Sequence, residues 1–145
     1  MQPRLTHIAL HARDFEGCVA FYARHCGLRI VHERPGKELG PRIVWMAEPG
    51  RERDFILVLL PGGPGYARHD GDVSHLGFAV ESRAAVEAAA ERGRAEGCLA
   101  LAPRQDDYPA GYYCGLFDPD GRIVEVSHGQ PLGPGAEAAD ADALG

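Results

Sequence analysis

Two stretches of the sequence follow the same pattern, and this internal repeat constrains the fold more than any other feature. Each opens with a hydroxyl-histidine-aliphatic triplet, at residues 6–8 and again at residues 74–76, so that His7 and His75 lie 68 positions apart. Each opening alternates like a half-buried strand, and a helical pattern follows it. Since a repeat fixes the architecture ahead of any local pattern, we predict one module present twice.

Each half of the sequence carries its own helix signals. Asp14 can cap a helix that runs to residue 26 and ends at Gly27, and Ser82 can cap another that runs to about residue 96. Three strand-like runs follow each helix, at 28–34, 42–47 and 55–60 in the first half and at 98–102, 112–117 and 122–127 in the second. The predicted order is therefore β-α-β-β-β twice.

The Gly- and Pro-rich stretches predict how the chain is divided. Residues 61–65 open a flexible join between the halves. We expect one α+β domain over residues 1–128, with module one at about 5–60, the join at about 61–72 and module two at about 73–128. Residues 129–145, rich first in Gly and Pro and then in Ala and Asp, are expected to form a flexible tail.

Composition and charge indicate which classes of binding partner the chain can have. The chain has 145 residues, 45% of them hydrophobic, and a net charge of −6 with no cluster of basic residues, which argues against nucleic-acid and membrane-surface partners. No signal peptide or membrane span is recognisable, so we expect a cytoplasmic protein. The four cysteines form no C-x-x-C pair and are expected to be reduced, buried thiols.

The repeat places two histidines in matching surroundings. His7 shares a strand face with Ala9, and His75 shares one with Gly77, so small residues leave room beside each imidazole. Glu125 lies in an apolar strand, where an unpaired carboxylate is costly. Two histidines and one carboxylate are the ligand set of metal sites that keep positions open for substrate. The competing interpretations are structural histidines and a glutamate on a solvated edge.

Three motifs carry a resemblance to a known family. T-H-I-A-L-H, S-H-L-G-F and D-P-D-G-R-I-V-E, within paired β-α-β-β-β modules over residues 5–128, resemble the vicinal oxygen chelate superfamily. This superfamily includes glyoxalase I, extradiol dioxygenases, fosfomycin-resistance enzymes and bleomycin-binding proteins. The resemblance implies a cupped mixed β-sheet around one divalent metal with His7, His75 and Glu125 as ligands. It leaves Fe, Mn, Ni, Co and Zn open as the metal.

The resemblance implies a metal-dependent enzyme but does not single out one reaction. Glyoxalase I has a fourth ligand, a glutamate, at a position that falls here on Leu57, or on Val58 if the register shifts by one. We therefore expect lyase or isomerase-type chemistry on a small oxygenated substrate, without necessarily lactoylglutathione lyase activity. The alternatives are an extradiol dioxygenase, a fosfomycin-type thiol transferase and a metal-free drug- or metabolite-binding protein. A homodimer is the expected assembly.

Further side chains are candidates for the site around the metal. Alternation allows only one of Tyr112 and Tyr113 to face it, where a tyrosine would bind a substrate oxygen or act as general acid. Packing residues and a turn-stabilising aspartate are the competing interpretations. The candidates are, for catalysis, Tyr112, Tyr113 and Asp107, and, for substrate binding, Arg42, Trp45 and His11.

Overall fold

The chain is divided into two compact units, each of which contains one copy of the predicted module. The computed structural model describes residues 1–138 and 140–145 in full. Unit one comprises Met1–Ala67 with Pro119–Gly121, and unit two comprises Arg68–Asp118 with Arg122–Gly145. The boundary after Ala67 lies inside the predicted join. In the described part of the chain, no helix has the length and apolar character needed to cross a membrane.

Unit one is a four-stranded mixed sheet with one α-helix. Its sheet has the strand order β1-β4-β3-β2, with β1 parallel to β4 and the other pairs antiparallel. The elements are β1 (His7–Ala12), α1 (Phe15–Cys26), β2 (Arg29–Pro35), a short 3₁₀ turn (Lys37–Leu39), β3 (Arg42–Ala47) and β4 (Ile56–Pro61). The predicted βαβββ order is confirmed.

The ends of α1 are set by the two predicted capping residues. The Asp14 carboxylate accepts a hydrogen bond of 3.1 Å from the backbone N–H of Gly17. Gly27 ends the helix at φ 67°, a left-handed conformation that glycine adopts without a Cβ penalty. Between these ends, Cys18 and Tyr22 are fully buried, and α1 contacts β1 and β4.

Unit two repeats this architecture with different residues. Its sheet has the order β5-β8-β7-β6, with β5 parallel to β8. The elements are β5 (His75–Ala79), α2 (Arg83–Ala95), β6 (Leu99–Gln105), β7 (Tyr112–Phe117), β8 (Ile123–His128) and α3 (Ala136–Leu144). Ser82 caps α2 through a 3.1 Å hydrogen bond from Ala85. Val86, Ala89 and Ala90 of α2 pack on β7 and β8 and form the core of this unit.

The last segment differs from the flexible tail that the composition predicts. Residues Ala136–Leu144 form α3, which begins after Gly135. Alanine has the highest intrinsic helix propensity, and this segment is rich in it, so the local preference is helical despite the acidic residues. The Tyr108 hydroxyl donates a hydrogen bond to the Asp140 carboxylate, which ties α3 to the loop between β6 and β7.

The acidic turn of the D-P-D-G motif stabilises the start of α1. Residues 119–121 belong to unit one, where the buried Asp120 carboxylate accepts hydrogen bonds from the backbone N–H groups of Arg13 (2.7 Å) and Asp14 (2.8 Å). Backbone N–H groups at a helix start have no partner within the helix. The motif therefore supplies the partners that the backbone needs where β1 ends and α1 begins.

We predict that Asp120→Ala lowers the free energy of unfolding by about 1–3 kcal/mol, because two backbone donors lose a charged acceptor. Asp120→Asn should cost less, since one oxygen acceptor remains. Urea unfolding followed by circular dichroism measures both changes. Asp70→Ala removes an exposed carboxylate and serves as the control. Equal stability of the Asp120→Ala and Asp70→Ala proteins would contradict this role.

Candidate metal centre and pockets

The register of the parallel pair β5 and β8 brings together two of the three predicted ligands. Gly77 pairs with Glu125 and His75 pairs with Ile123, so the side chains of His75 and Glu125 leave the same face of the sheet. His75 Nε2 lies 3.4 Å from Glu125 Oε2. The third predicted ligand, His7, begins β1 of unit one.

The hydrogen bonds of this pair fix which atoms are available. His75 Nδ1 lies 2.8 Å from the carbonyl oxygen of Val73. Because a carbonyl only accepts, Nδ1 donates to Val73, and Nε2 is the ring nitrogen on the Glu125 side. Glu125 Oε1 accepts a 2.7 Å hydrogen bond from Gln130, which leaves Oε2 beside the imidazole. A histidine whose other nitrogen donates to a carbonyl is the usual arrangement of a metal ligand.

Both strands beside the carboxylate have a glycine next to it; the space is open at Gly77, whereas a Cβ at Gly115 would meet Leu101 and Ile123. Glu125 pairs with Gly77 on β5 and with Gly115 on β7, so neither neighbouring strand places a side chain beside it. A cavity of about 210 Å³ lies on this face. It is mainly apolar, with His75, Glu125 and Tyr113 among its lining residues. The surroundings of Glu125 therefore suit a bound ligand rather than a packed core.

Tyr113 is the tyrosine that faces this cavity. Its hydroxyl donates a 2.5 Å hydrogen bond to Asp106, whose other oxygen accepts two hydrogen bonds from Arg104 (2.6 and 2.9 Å). The hydrogen bond to Asp106 raises the pKa of Tyr113, and desolvation raises it further. Hydrogen bonds from Tyr113 and then Arg104 lower the pKa of Asp106. The phenol is therefore neutral and held in one orientation at neutral pH.

Tyr112 and Asp107 lie away from the cavity, in contrast to the catalytic role considered for them. Tyr112 is buried on the opposite face of β7, where its hydroxyl donates to Glu87 and the Arg83 guanidinium lies 3.9 Å from its ring centroid. Asp107 is exposed, and its carbonyl accepts from Ala110 in a tight turn. Alternation left the choice between the tyrosines open, and α2 decides it by covering the Tyr112 face.

Cys114, the thiol nearest this site, does not act as a nucleophile there. It is fully buried, and its thiol hydrogen-bonds the carbonyl oxygen of Val86. Burial, followed by the charge of Glu87, raises the pKa of Cys114 to about 11. The group is therefore a protonated thiol at neutral pH, as expected for a structural cysteine.

Unit one has its own pocket on the histidine-bearing face. This cavity of about 360 Å³ is lined by Thr6, His7, Ala9, Arg34, Trp45, Ile56, Val58 and Leu60. His7 Nδ1 shares a 3.0 Å hydrogen bond with the Thr6 hydroxyl. In the β1–β4 register Ala9 pairs with Val58, as Gly77 pairs with Glu125 in unit two. Of the two positions considered for a fourth ligand, Val58 is therefore the one that corresponds to Glu125.

The predicted substrate-binding residues divide between two faces of unit one. Trp45 lines the pocket, whereas Arg42 is turned away from it and pairs with Glu16 (2.8 Å) and Glu33. The hydrogen bond to Glu16 is the main cause of the raised pKa of Arg42. His11 Nδ1 donates to the carbonyl of Pro61 at 3.2 Å and is not among the lining residues. Arg34 was not proposed from the sequence as a pocket residue. It lies two positions after His32 in β2 and therefore on the same face of the sheet.

Comparison with known proteins identifies the family. A model described as the Glyoxalase/Bleomycin resistance protein/Dioxygenase superfamily matches residues 4–126. The chain belongs to this superfamily. It is also 58% identical over 138 residues to Uncharacterized protein PA2024 of Pseudomonas aeruginosa, which covers 95% of this chain and 97% of the relative. The predicted family is therefore confirmed.

Solved structures of the superfamily share the fold. The fosfomycin resistance protein FosX of Listeria monocytogenes aligns with a TM-score of 0.69 at 20% identity, over 88% of this chain and 94% of that one. The trypanothione-dependent glyoxalase I of Leishmania major aligns with a TM-score of 0.65 at 19% identity, over 99% and 94%. At these identities the likeness establishes the glyoxalase-type α+β fold and not the reaction.

We predict that Asp106→Ala lowers the pKa of Tyr113, because the carboxylate that favours the neutral phenol is removed and Arg104 then favours the phenolate. NMR titration of ¹³C-labelled tyrosine measures this directly. Glu87→Ala is the matched control, since Glu87 has the same relation to Tyr112, whose pKa it raises. It should lower the pKa of Tyr112 alone. An unchanged Tyr113 titration in Asp106→Ala would show that this hydrogen bond is not formed in solution.

Proposed function

We propose that the chain is a metal-dependent enzyme that binds a small oxygenated substrate at an open divalent metal site and carries out lyase or isomerase-type chemistry. The observation that carries this proposal is the His75–Glu125 pair. Its 3.4 Å separation places a histidine ring nitrogen beside a carboxylate oxygen on the wall of a cavity. Superfamily membership supports the same conclusion.

The donor set suits a divalent transition metal. One imidazole nitrogen and one carboxylate oxygen come from unit two, and we propose His7 of unit one as the third ligand. Nitrogen and oxygen donors of this kind accept Fe, Mn, Ni, Co or Zn. Val58 contributes no fourth ligand, which distinguishes the proposed site from that of glyoxalase I and leaves more coordination positions for substrate and water.

The residues around the proposed site have separate roles. When bound, a divalent metal acts as a Lewis acid on neighbouring oxygens of the substrate. Tyr113, a protonated phenol at neutral pH, would turn its O–H from Asp106 to a substrate oxygen and donate its proton as negative charge develops there. The apolar lining that includes Leu101 and Ile123 limits water around the substrate. Asp106 and Arg104 hold the phenol in place and do not contact the substrate.

We predict that His75→Ala and Glu125→Gln each remove the bound metal, because each takes away a primary ligand. Metal analysis after reconstitution should give about one ion per chain in the wild type and less than a tenth of that in either variant. His69→Ala is the matched control, since His69 also has Nδ1 near a carbonyl (Asp70, 3.0 Å) but is exposed and not among the residues around the cavity.

Undiminished metal content in both His75→Ala and Glu125→Gln would rule out this site. His7→Ala tests the third ligand separately. If metal is retained in that variant and lost in the other two, His7 leaves the ligand set while the pair in unit two remains.

The reaction itself is tested with three substrate classes on metal-loaded protein: hemithioacetals, catechols with oxygen, and fosfomycin with a thiol. Once a substrate is found, Tyr113→Phe should lower kcat by about 100-fold, the range expected for loss of a general acid, with metal content unchanged. Tyr112→Phe should leave kcat near the wild-type value, because Tyr112 lies on the other face of β7. Equal rates in both variants would exclude Tyr113 from the chemistry.

Oxygen consumption on catechols would identify a dioxygenase in place of the proposed lyase or isomerase.

The homodimer expected from the sequence belongs to the same proposal, and sedimentation velocity tests it. The cytoplasmic location is likewise part of the proposal, and cell fractionation tests it.

A further inference from the structure

The pocket of unit one combines an arginine with the chain's single tryptophan. Arg34 and His32 of β2 pair with Ile43 and Trp45 of β3, which places Arg34 and Trp45 on one face of the sheet. Both line the cavity of about 360 Å³. This volume lies within the range of roughly 300–1,000 Å³ that is usual for small-molecule sites.

Arg34 has no acidic partner, unlike three other arginines of unit one. Arg29 is paired with Glu52, Arg42 with Glu16 and Glu33, and Arg4 with Asp54. Arg34 makes no hydrogen bond or ion pair with any residue that the structure describes. Its five donors, in a planar fork that matches a carboxylate, therefore remain available within the pocket.

The other lining residues provide an apolar surface beside this cation. Trp45 is 37% exposed, which is unusual for an indole at the centre of a sheet, and His32 contacts its ring in a T-shaped arrangement with 5.0 Å between centroids. Ile56, Val58 and Leu60 of β4 complete the wall. Val58 replaces the carboxylate found at the matching position of unit two, so this wall carries no negative charge.

We propose that this pocket binds an organic monocarboxylate whose body is aromatic or branched aliphatic. Its carboxylate pairs with the Arg34 guanidinium, and its apolar body lies against Trp45 and Val58. A monoanion matches the pocket because Arg34 is the only permanent cation among the lining residues, whereas a phosphate or phosphonate dianion would need a second. His7, which lines this pocket, is also the third ligand of the proposed metal site, so the pocket is tested in metal-free protein.

The test uses Trp45 fluorescence of the full chain in the presence of EDTA. We expect 3-phenylpropionate to bind at least about tenfold more tightly than its neutral amide, 3-phenylpropanamide, because a charge-assisted bidentate contact is lost in the amide. Arg34→Gln should abolish this difference and leave the affinity for the amide unchanged. Arg53→Gln makes the same change of charge elsewhere in unit one and should preserve the difference.

Each of the following results would overturn the proposal: equal affinities for the acid and the amide, a preference that survives in Arg34→Gln, or tighter binding of phenylphosphonate than of 3-phenylpropionate. Saturation-transfer NMR on the same samples detects binding that leaves the fluorescence unchanged, and no binding of the acid at about 10 mM would also overturn it. His75→Ala should bind the carboxylate normally. Failure of the proposed metal site and failure of this pocket are therefore distinguishable.

Discussion

The candidate site depends on the parallel pairing of β5 with β8. Its register places Glu125 opposite Gly77 and on the same face as His75. Since side chains alternate along a strand, a shift by one residue would turn Glu125 toward α2 and the apolar core, where an unpaired carboxylate is costly. The packing of Val124 and Val126 on the other face prevents this shift, because both are buried. The hydrophobic core thereby fixes the position of the polar group.

Hydrogen bonds then orient the polar groups that the strands position. The Val73 carbonyl orients the His75 imidazole, Gln130 donates to one oxygen of Glu125, and Asp106 holds the Tyr113 phenol. Groups held in this way lose little freedom when a ligand binds, which is the physical basis of a preorganised site. Open space is also part of the arrangement, because a Cβ at Gly77 would meet nothing within 4 Å. The space beside the carboxylate is not taken by the protein.

Much of this was predictable from the sequence, for reasons that differ between residues. Local signals were sufficient to predict the helix caps at Asp14 and Ser82. The repeat was sufficient to predict which strand face carries His7 and which carries His75. Tyr113 could not be chosen over Tyr112, because the choice depends on which face α2 covers. Asp106 and Arg34 were missed because their roles arise from contacts between strands and loops, including the β-bulge between Ile30 and His32, that no short sequence window contains.

The two modules keep the same register but differ in side-chain chemistry. Where unit two has Glu125, unit one has Val58, and both positions pair with a small residue two places after a histidine. An imidazole beside a carboxylate suits a metal, whereas aliphatic residues beside Trp45 and an unpaired guanidinium suit an organic anion. Because backbone pairing is the same in both, one substitution in a repeated strand is enough to remove a ligand from one copy of the module. The repeat therefore accounts for the shared fold, and the difference at this position accounts for the difference between the pockets.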